Sequence, residues 1–174
     1  GQAAYIIPPI INFHNGPTGM VYNPGTALGS EWKSKFFLVE FVGNPSRSHI
    51  WSFSLRPQGA SFELAEDKDV VSGILPTGIK FGPDGALYVA DWINGWDTKN
   101  YGRVWKLDVR DDKNDLKDIR IETKRLMQLD YSKQSEEELY KLLSYADMRI
   151  RQKSQLELAK REKTGWEIFK RAIG

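Results

Sequence analysis

Short runs of Val, Ile, Leu and aromatic residues, separated by Gly, Pro, Asn and Asp, fill the chain up to about residue 126. Runs of this length and composition are typical of antiparallel strands joined by turns. The Gly-Pro-Asp-Gly segment at residues 82–85 predicts a tight hairpin, because Pro presets φ and Gly tolerates a positive φ. The pattern predicts eight strands, near residues 17–22, 36–41, 49–55, 62–70, 76–81, 86–91, 104–109 and 119–126.

The second group of strands repeats the first. Residues 76–83 match residues 17–24 at an offset of 59, with the same Pro-Thr-Gly start, and Trp105 matches Trp51 at an offset of 54. Residues 86–91 match residues 36–41 at an offset of 50. Four strands repeating at about this length are the pattern of a propeller blade, and a β-sandwich is the alternative.

After about Asp130 the apolar residues adopt helical spacing, and Pro disappears. Ser135 and Glu138 predict a capping box, and Asp147 predicts the N-cap of a helix that starts at Met148. Apolar or small residues then share one face of each helix, at Ile150, Ser154 and Leu158, and again at Trp166, Phe169 and Ile173.

The predicted fold class is therefore mostly β with an α-helical C-terminal part. Residues 1–128 form two four-stranded antiparallel propeller-type blades, about 12–75 and 76–128. Residues 129–174 form a helical segment.

Composition narrows the function classes. The chain has 174 residues with a net charge of +2, which predicts no nucleic-acid partner. Cysteine is absent, which excludes disulfides, thiolate metal ligands and cysteine nucleophiles. No apolar run approaches the roughly 20 residues that cross a bilayer, so no membrane span is predicted.

Three segments carry a family resemblance. Residues 17–22, 82–92 and 102–107 resemble the late blades of the glucose/sorbosone dehydrogenase propeller family, and the resemblance covers about residues 12–126. Residues 142–159, with Asp147 at the turn and Arg151 early in the next helix, are similar to a HEAT repeat. The combined order resembles large bacterial membrane-bound dehydrogenase-like proteins, in which a c-type cytochrome domain follows.

The resemblance implies a fragment of an exported, carbohydrate-directed oxidoreductase-like protein that is periplasmic or extracellular, binds a sugar or polysaccharide, and is inactive alone. Haem would belong to a domain outside this chain. The quinone-dependent members hold pyrroloquinoline quinone with arginines before the Gly-Pro-Asp-Gly hairpin and a lysine after the preceding strand. Leu75, Thr77, Val42 and Gly43 stand near those places, which argues against quinone binding in that manner. The alternative is a non-catalytic binding or scaffolding propeller whose helical repeats recruit a protein partner.

Two places are candidates for chemistry. His14 precedes the first Pro-Thr-Gly strand, where it could face a propeller channel and act as a base; a loop histidine is the alternative. The loop of residues 91–100 combines oxygen ligands with indoles. Its candidates are Asp91 and Asp97 for calcium, and Trp92, Asn94 and Trp96 for a sugar. A polar turn with a tryptophan packed between blades is the alternative.

Overall fold

The computed structural model describes residues 9–12, 14–94 and 100–173. Its first sheet contains four antiparallel strands in chain order: β1 Pro17–Tyr22, β2 Phe36–Glu40, β3 His49–Gln58 and β4 Ser61–Ser72. All four strands fall where the alternating apolar pattern predicts them. The first four-stranded sheet is thus confirmed.

The two faces of this sheet differ in burial. Side chains alternate across a strand, so paired residues share a face. Leu38 pairs with Met20 and Trp51, and Phe37 pairs with Val21 and Ser52. We call the side that carries Val21, Phe37, Val39, Ile50 and Ser52 the covered face, and the side that carries Met20, Tyr22, Phe36, Leu38, Trp51 and Phe53 the open face. On the covered face Phe37, Val39 and Ile50 are fully buried, whereas Met20 on the open face is 59% exposed.

The second sheet has three strands within the described residues: β5 Pro76–Phe81, β6 Leu87–Asp91 and β7 Arg103–Leu107. The predicted hairpin between β5 and β6 is confirmed. Gly82 N donates to Ala86 O at 2.9 Å, and Gly85 adopts a φ of +78°.

The covered face of the first sheet lies against the second sheet. A Cβ at Gly19 would lie 3.4 Å from Ile79 Cγ2 and 3.5 Å from the Gly78 Cα, so the strands approach closely there. Val89 and Asp91 on β6 are buried, while the alternate residue Ala90 is exposed. The second sheet therefore buries the side that carries Val89 and Asp91.

The prediction of an eighth strand near residues 119–126 is wrong. This segment is the helix α1, Lys117–Met127. Ile119 and Ile121 alternate like strand residues, but the buried positions are Arg120, Thr123 and Leu126, which follow the helical period. The second repeat therefore lacks its predicted fourth strand in the described part of the chain, and no closed propeller is seen.

The other helices match the predictions. They are α2 Glu136–Leu142, α3 Met148–Lys160 and α4 Glu162–Ile173. The capping box between Ser135 and Glu138 is present, and Asp147 caps α3 through the N–H of Arg149. Ile150, Ser154 and Leu158 form the buried face of α3, as the spacing predicts. None of the described helices is long and apolar enough to cross a bilayer.

Two compact units contain these elements. The first holds the two sheets, and the second holds the helices together with residues 23–33 and 81–87. In the second unit Tyr131, Leu139 and Leu158 form a core against which Ile168 and Phe169 pack. Helix α4 approaches α3 at Gly165, where a Cβ would lie 1.8 Å from Leu158 O.

Candidate functional site

Glu40, the last residue of β2, is the buried acid of the first sheet. Its Oε2 accepts a hydrogen bond from Trp51 Nε1 at 2.7 Å, and its Oε1 accepts one from the Asn15 N–H at 3.0 Å. Glu40 is 7% exposed. A buried carboxylate is tolerated when N–H donors satisfy it in this way.

His14, the predicted catalytic residue, lies beside this acid. Its Nδ1 is 3.8 Å from Glu40 Oε2, and its ring stacks on Trp51 with a centroid distance of 3.9 Å and an interplanar angle of 12°. The backbone of His14 has a φ of +53°, which is uncommon for residues other than glycine and marks candidate functional positions. The structure thus supplies an acid next to the histidine, which sequence spacing did not reveal. The catalytic role of His14 stays a prediction.

A second histidine lies on the same indole. His49 Nδ1 is 2.8 Å from Asp69 Oδ2, and its ring centroid is 5.4 Å from that of Trp51. Two imidazoles therefore contact Trp51, and each has a carboxylate nearby.

The electrostatics of this cluster favour the ionised acid. Burial alone would raise the pKa of the Glu40 carboxyl. The hydrogen bonds from Asn15 and Trp51, together with the electrostatic attraction of His14 and His49, outweigh burial and hold the pKa below its ordinary value. Glu40 is therefore an anion at neutral pH that can orient and stabilise a protonated imidazole.

Asp91, the last residue of β6, is the equivalent acid of the second sheet. Its Oδ2 accepts from Trp105 Nε1 at 2.9 Å, and its Oδ1 accepts from the N–H groups of Leu75 at 3.0 Å and Ile93 at 2.8 Å. Arg103 Nε lies 3.5 Å from Oδ2. Burial alone would raise the pKa of Asp91, but these hydrogen bonds and Arg103 lower it.

The two acids occupy the same place in the repeat. Glu40 and Asp91 are 51 residues apart, and the residues that follow them, Phe41 and Trp92, each donate a backbone hydrogen bond of 2.9 Å to the residue before a Pro-Thr-Gly strand. The offset of 50 predicted for β2 and β6 is therefore corrected to 51. With this offset, the acid and its tryptophan partner have the same places in both repeats, as Glu40 with Trp51 and as Asp91 with Trp105. His49 of the first repeat corresponds to Arg103 of the second.

The residues predicted to bind calcium and sugar are placed as follows. Both carboxylate oxygens of Asp91 face N–H donors of the protein, and Asp97 lies outside the described residues. Trp92 is half-buried and stacks on Phe41 at 5.9 Å, and Asn94 is exposed. Trp96 also lies outside the described residues. In residues 9–12, 14–94 and 100–173, no three His, Asp or Glu side chains form a group that could hold a metal ion.

Two arginines of the helical unit hold the hairpin turn between β5 and β6, and sequence reasoning missed both. Arg120 Nε donates to Asp84 O at 2.9 Å while its terminal nitrogens form two hydrogen bonds with Asp108, at 2.7 and 2.8 Å. Arg149 donates to Gly82 O at 2.8 Å and to Asp147. The guanidinium of Arg149 is therefore committed to contacts within the helical unit.

Asp147 joins the same region to residues 23–33. The carboxylate is fully buried and accepts from Thr26 Oγ1 at 2.6 Å, and Met148 N donates to Pro24 O at 2.8 Å. Gly25 is required here, because a Cβ on it would lie 2.4 Å from Ala146 O. The acid that marks the helical turn in the sequence is thus a structural residue with identified partners.

Comparison with known proteins gives one distant structural similarity. A solved structure described as glucose dehydrogenase is similar to 55% of this chain, with 16% sequence identity and a TM-score of 0.41. The similar part spans 26% of that protein's chain. No family model matches the chain, and no curated protein matches it.

Proposed function

We propose that this chain is the two-sheet and helical part of an exported, carbohydrate-directed oxidoreductase-like protein, and that it does not oxidise a sugar alone. In this proposal the sheets contribute a polar site at His14 and a sugar-binding surface near Trp92 and Asn94. The electron acceptor is held by parts of the protein outside these residues. The resemblance of residues 17–22, 82–92 and 102–107 to dehydrogenase blades motivates the substrate class.

The observation that carries the proposal is the contrast between His14 and the repeated acids. Glu40 and Asp91 recur at one place in the repeat, each bound to a tryptophan, which supports a structural role. His14 has no such counterpart, because the residue 59 positions later is Gly73. A histidine that the repeat does not need, stacked on Trp51 and close to an anion, is the better candidate for chemistry.

The chemistry available to His14 is general base catalysis. Its imidazole would accept the proton of a sugar hydroxyl group, and Glu40 would stabilise the resulting imidazolium. The two electrons and the carbon-bound hydrogen would pass to a redox acceptor held elsewhere. This division of labour explains why the chain alone would be inactive.

The test compares substitutions of two histidines, His14 and His49, in the full-length protein that contains these residues. Dye-linked oxidation of a panel of aldoses is measured for the unchanged protein, His14→Gln and His49→Gln. We expect His14→Gln to lower kcat by roughly 100-fold or more, the usual contribution of a general base, with an unchanged melting temperature. His49→Gln is the matched control, because His49 occupies the position of Arg103 in the repeat, and it should retain kcat.

Two results would contradict the proposal. Dye reduction by the 174-residue chain alone would show that the acceptor site lies within these residues. An unchanged kcat in His14→Gln would remove the histidine from the chemistry.

A second candidate function is a binding or scaffolding module. It is favoured by α4, where Trp166 is 61% exposed and Ile173 is 88% exposed, seven residues apart on one side of the helix. Ile168 and Phe169 of the same helix pack on the core. The outer side of α4 therefore offers a place for a protein partner.

The second candidate predicts a protein without sugar oxidation whose partner binding depends on α4. Trp166→Asp should abolish copurification of the partner, whereas Leu156→Asp, a matched change at a residue 58% exposed on α3, should not. Failure to take up pyrroloquinoline quinone, combined with no dye reduction by any aldose, would favour this candidate over the first in its quinone form.

A further inference from the structure

The segment that carries His14 continues into an Asn-Gly pair, Asn15-Gly16, directly before β1. Both residues are exposed. Asparagine is a chemically labile residue. Its side-chain carbonyl carbon is attacked most readily by the main-chain nitrogen of a following glycine, because glycine has no side chain to obstruct the approach. The position of this pair next to the histidine makes its chemistry relevant to the site.

The groups that react are not engaged by the fold. Within the described part of the chain, neither the side-chain amide of Asn15 nor the N–H of Gly16 forms a hydrogen bond. Other asparagines differ in this respect. The side chains of Asn23 and Asn44 accept backbone hydrogen bonds, and each of these residues precedes a proline, which has no N–H to attack with. Asn15 is therefore the more reactive position.

The fold also requires the glycine of this pair. Gly16 adopts a φ of +50°, and a Cβ on it would overlap the carbonyl oxygen of Phe41. A bulkier residue at position 16, which would slow the attack, is therefore excluded. The fold thus fixes the reactive glycine and leaves the side chain of Asn15 unconstrained.

Two hydrogen bonds anchor the same pair to β2 and its end. The Asn15 N–H donates to Glu40 Oε1 at 3.0 Å, and Gly16 O accepts from the Phe41 N–H at 2.9 Å. His14 directly precedes these anchors, so its position depends on them. Any change in the length of the main chain between the two anchors must disturb the histidine.

We propose that Asn15 is a site of spontaneous modification, at which conversion to an isoaspartyl residue releases His14 from its position on Trp51. In the first step the nitrogen of Gly16 forms a bond to Asn15 Cγ, the bond from Cγ to Nδ2 breaks, and ammonia leaves with the proton given up by Gly16. Water then attacks the main-chain carbonyl of the succinimide ring. This step leaves a free carboxylate and a main chain that runs through Cγ, and it needs no enzyme or oxidant.

The product is incompatible with the present anchors. The isoaspartyl linkage adds one methylene group between the nitrogen of residue 15 and the carbonyl of Gly16, so the bonds to Glu40 and Phe41 cannot both persist. The new carboxylate also lies beside the Glu40 anion, which repels it. The modification would therefore separate His14 from its acid, whether or not the histidine is catalytic.

The test follows modification and histidine position in the same sample of the folded chain, kept in mildly alkaline buffer. Mass spectrometry of peptides measures conversion at residue 15. Proton NMR measures the imidazole of His14, whose signals are shifted upfield because the ring stacks on Trp51 at 3.9 Å. The chain contains two histidines, and His49 is tilted by 36° at 5.4 Å, which gives the reference signal.

Two variants are the matched controls. Asn15→Gln keeps the amide but cyclises much more slowly, because the ring it would form is larger. Asn94→Gln removes the second Asn-Gly pair of the sequence, at residues 94–95. We expect the upfield signal of His14 to decay at the rate of conversion at residue 15, both in the unchanged chain and in Asn94→Gln. Asn15→Gln should keep the signal throughout the same incubation.

Three results would overturn the proposal. The first is an intact Asn15 in the folded chain after a time in which the chain unfolded in urea is fully converted. The second is complete conversion at residue 15 with an unchanged His14 signal, which would show that the anchors tolerate the product. The third is loss of the signal in Asn15→Gln at the rate of the unchanged chain, which would assign the loss to another process.

Discussion

Glu40 accepts the indole hydrogen bond of Trp51 at 2.7 Å, and its counterpart Asp91 accepts that of Trp105 at 2.9 Å. An acid at the end of a second strand thus anchors the tryptophan of the third strand in both sheets. The bond joins neighbouring strands from the side chains, in addition to the backbone ladder. Because this carboxylate–indole hydrogen bond occurs in both repeats, its contribution to stability can be measured separately from any function.

Removing the charge of Glu40 should destabilise the first sheet. Glu40→Gln keeps the shape but directs an amide NH₂ toward the N–H donors of Asn15 and Trp51, so at least one donor loses its acceptor. We expect a loss of about 1–3 kcal/mol in the free energy of unfolding, measured by urea denaturation. Glu31→Gln, at an exposed residue, should change it by less than about 0.5 kcal/mol. Equal effects of the two changes would contradict the buried bond.

Stability should fall in acid because of the same two carboxylates. The pKa values of Glu40 and Asp91 lie below their ordinary values of 4.5 and 3.8 in the folded protein. Their stabilisation is therefore fully present above those ordinary values and is lost as the pH falls through the folded pKa values. Melting temperatures between pH 7 and pH 2.5 should show this decline, and Glu40→Gln should flatten it. A decline of the same size in that variant would refute the assignment.

Replacing the guanidinium of Arg120 by the ammonium group of lysine should destabilise the fold. Arg120 is 6% exposed and forms two hydrogen bonds with Asp108 and one with Asp84 O. Lysine cannot reproduce this geometry, so Arg120→Lys should cost about 2 kcal/mol. Arg125→Lys is the matched control on α1, because its pair with Glu122 is exposed to solvent and should contribute little to stability. Chemical denaturation of both variants compares them, and similar losses would count against the buried network.

A methyl group at Gly165 should separate α3 from α4. The added Cβ would overlap Leu158 O at 1.8 Å, so one helix must move. We expect Gly165→Ala to lower the free energy of unfolding by about 2–4 kcal/mol, despite the better helix propensity of alanine. Gly78→Ala meets no atom within 4 Å and serves as the control, with an expected loss below about 1 kcal/mol. Thermal unfolding followed by circular dichroism decides the case, and a stabilised Gly165→Ala would disprove the contact.

Elements that depend on local rules could be predicted from the sequence. The strands β1 to β7, the turn at Gly85 and the caps at Ser135 and Asp147 follow from alternation, glycine conformation and side-chain acceptors within a few residues. Each of these signals acts between residues that are close in the sequence, so a single sequence is enough to detect it.

Elements that depend on buried polar residues could not be predicted in the same way. Helix α1 buries Arg120 and Thr123, and an apolar pattern cannot detect a charged side chain whose partner, Asp108, lies outside the helix. Glu40 was missed because it meets His14 across 26 residues of chain. The repeat itself held a usable signal, since an acid ends the second strand in both copies, at Glu40 and Asp91.

The helical unit includes residues 23–33 and 81–87, so its core is built from segments that lie far apart along the chain. The hydrogen bond between Thr26 and Asp147 spans 121 residues, so it cannot form until most of the chain has left the ribosome. Contacts of high sequence separation slow folding, because a long loop must close before they give any stabilisation. The sheets can form early during synthesis, whereas the helical unit completes its core last. A truncation before Asp147 would therefore remove the partners of Thr26 and Pro24, which are Asp147 and Met148. A proteolysis time course during translation should find the segment around these two residues cleaved more readily until α3 is made.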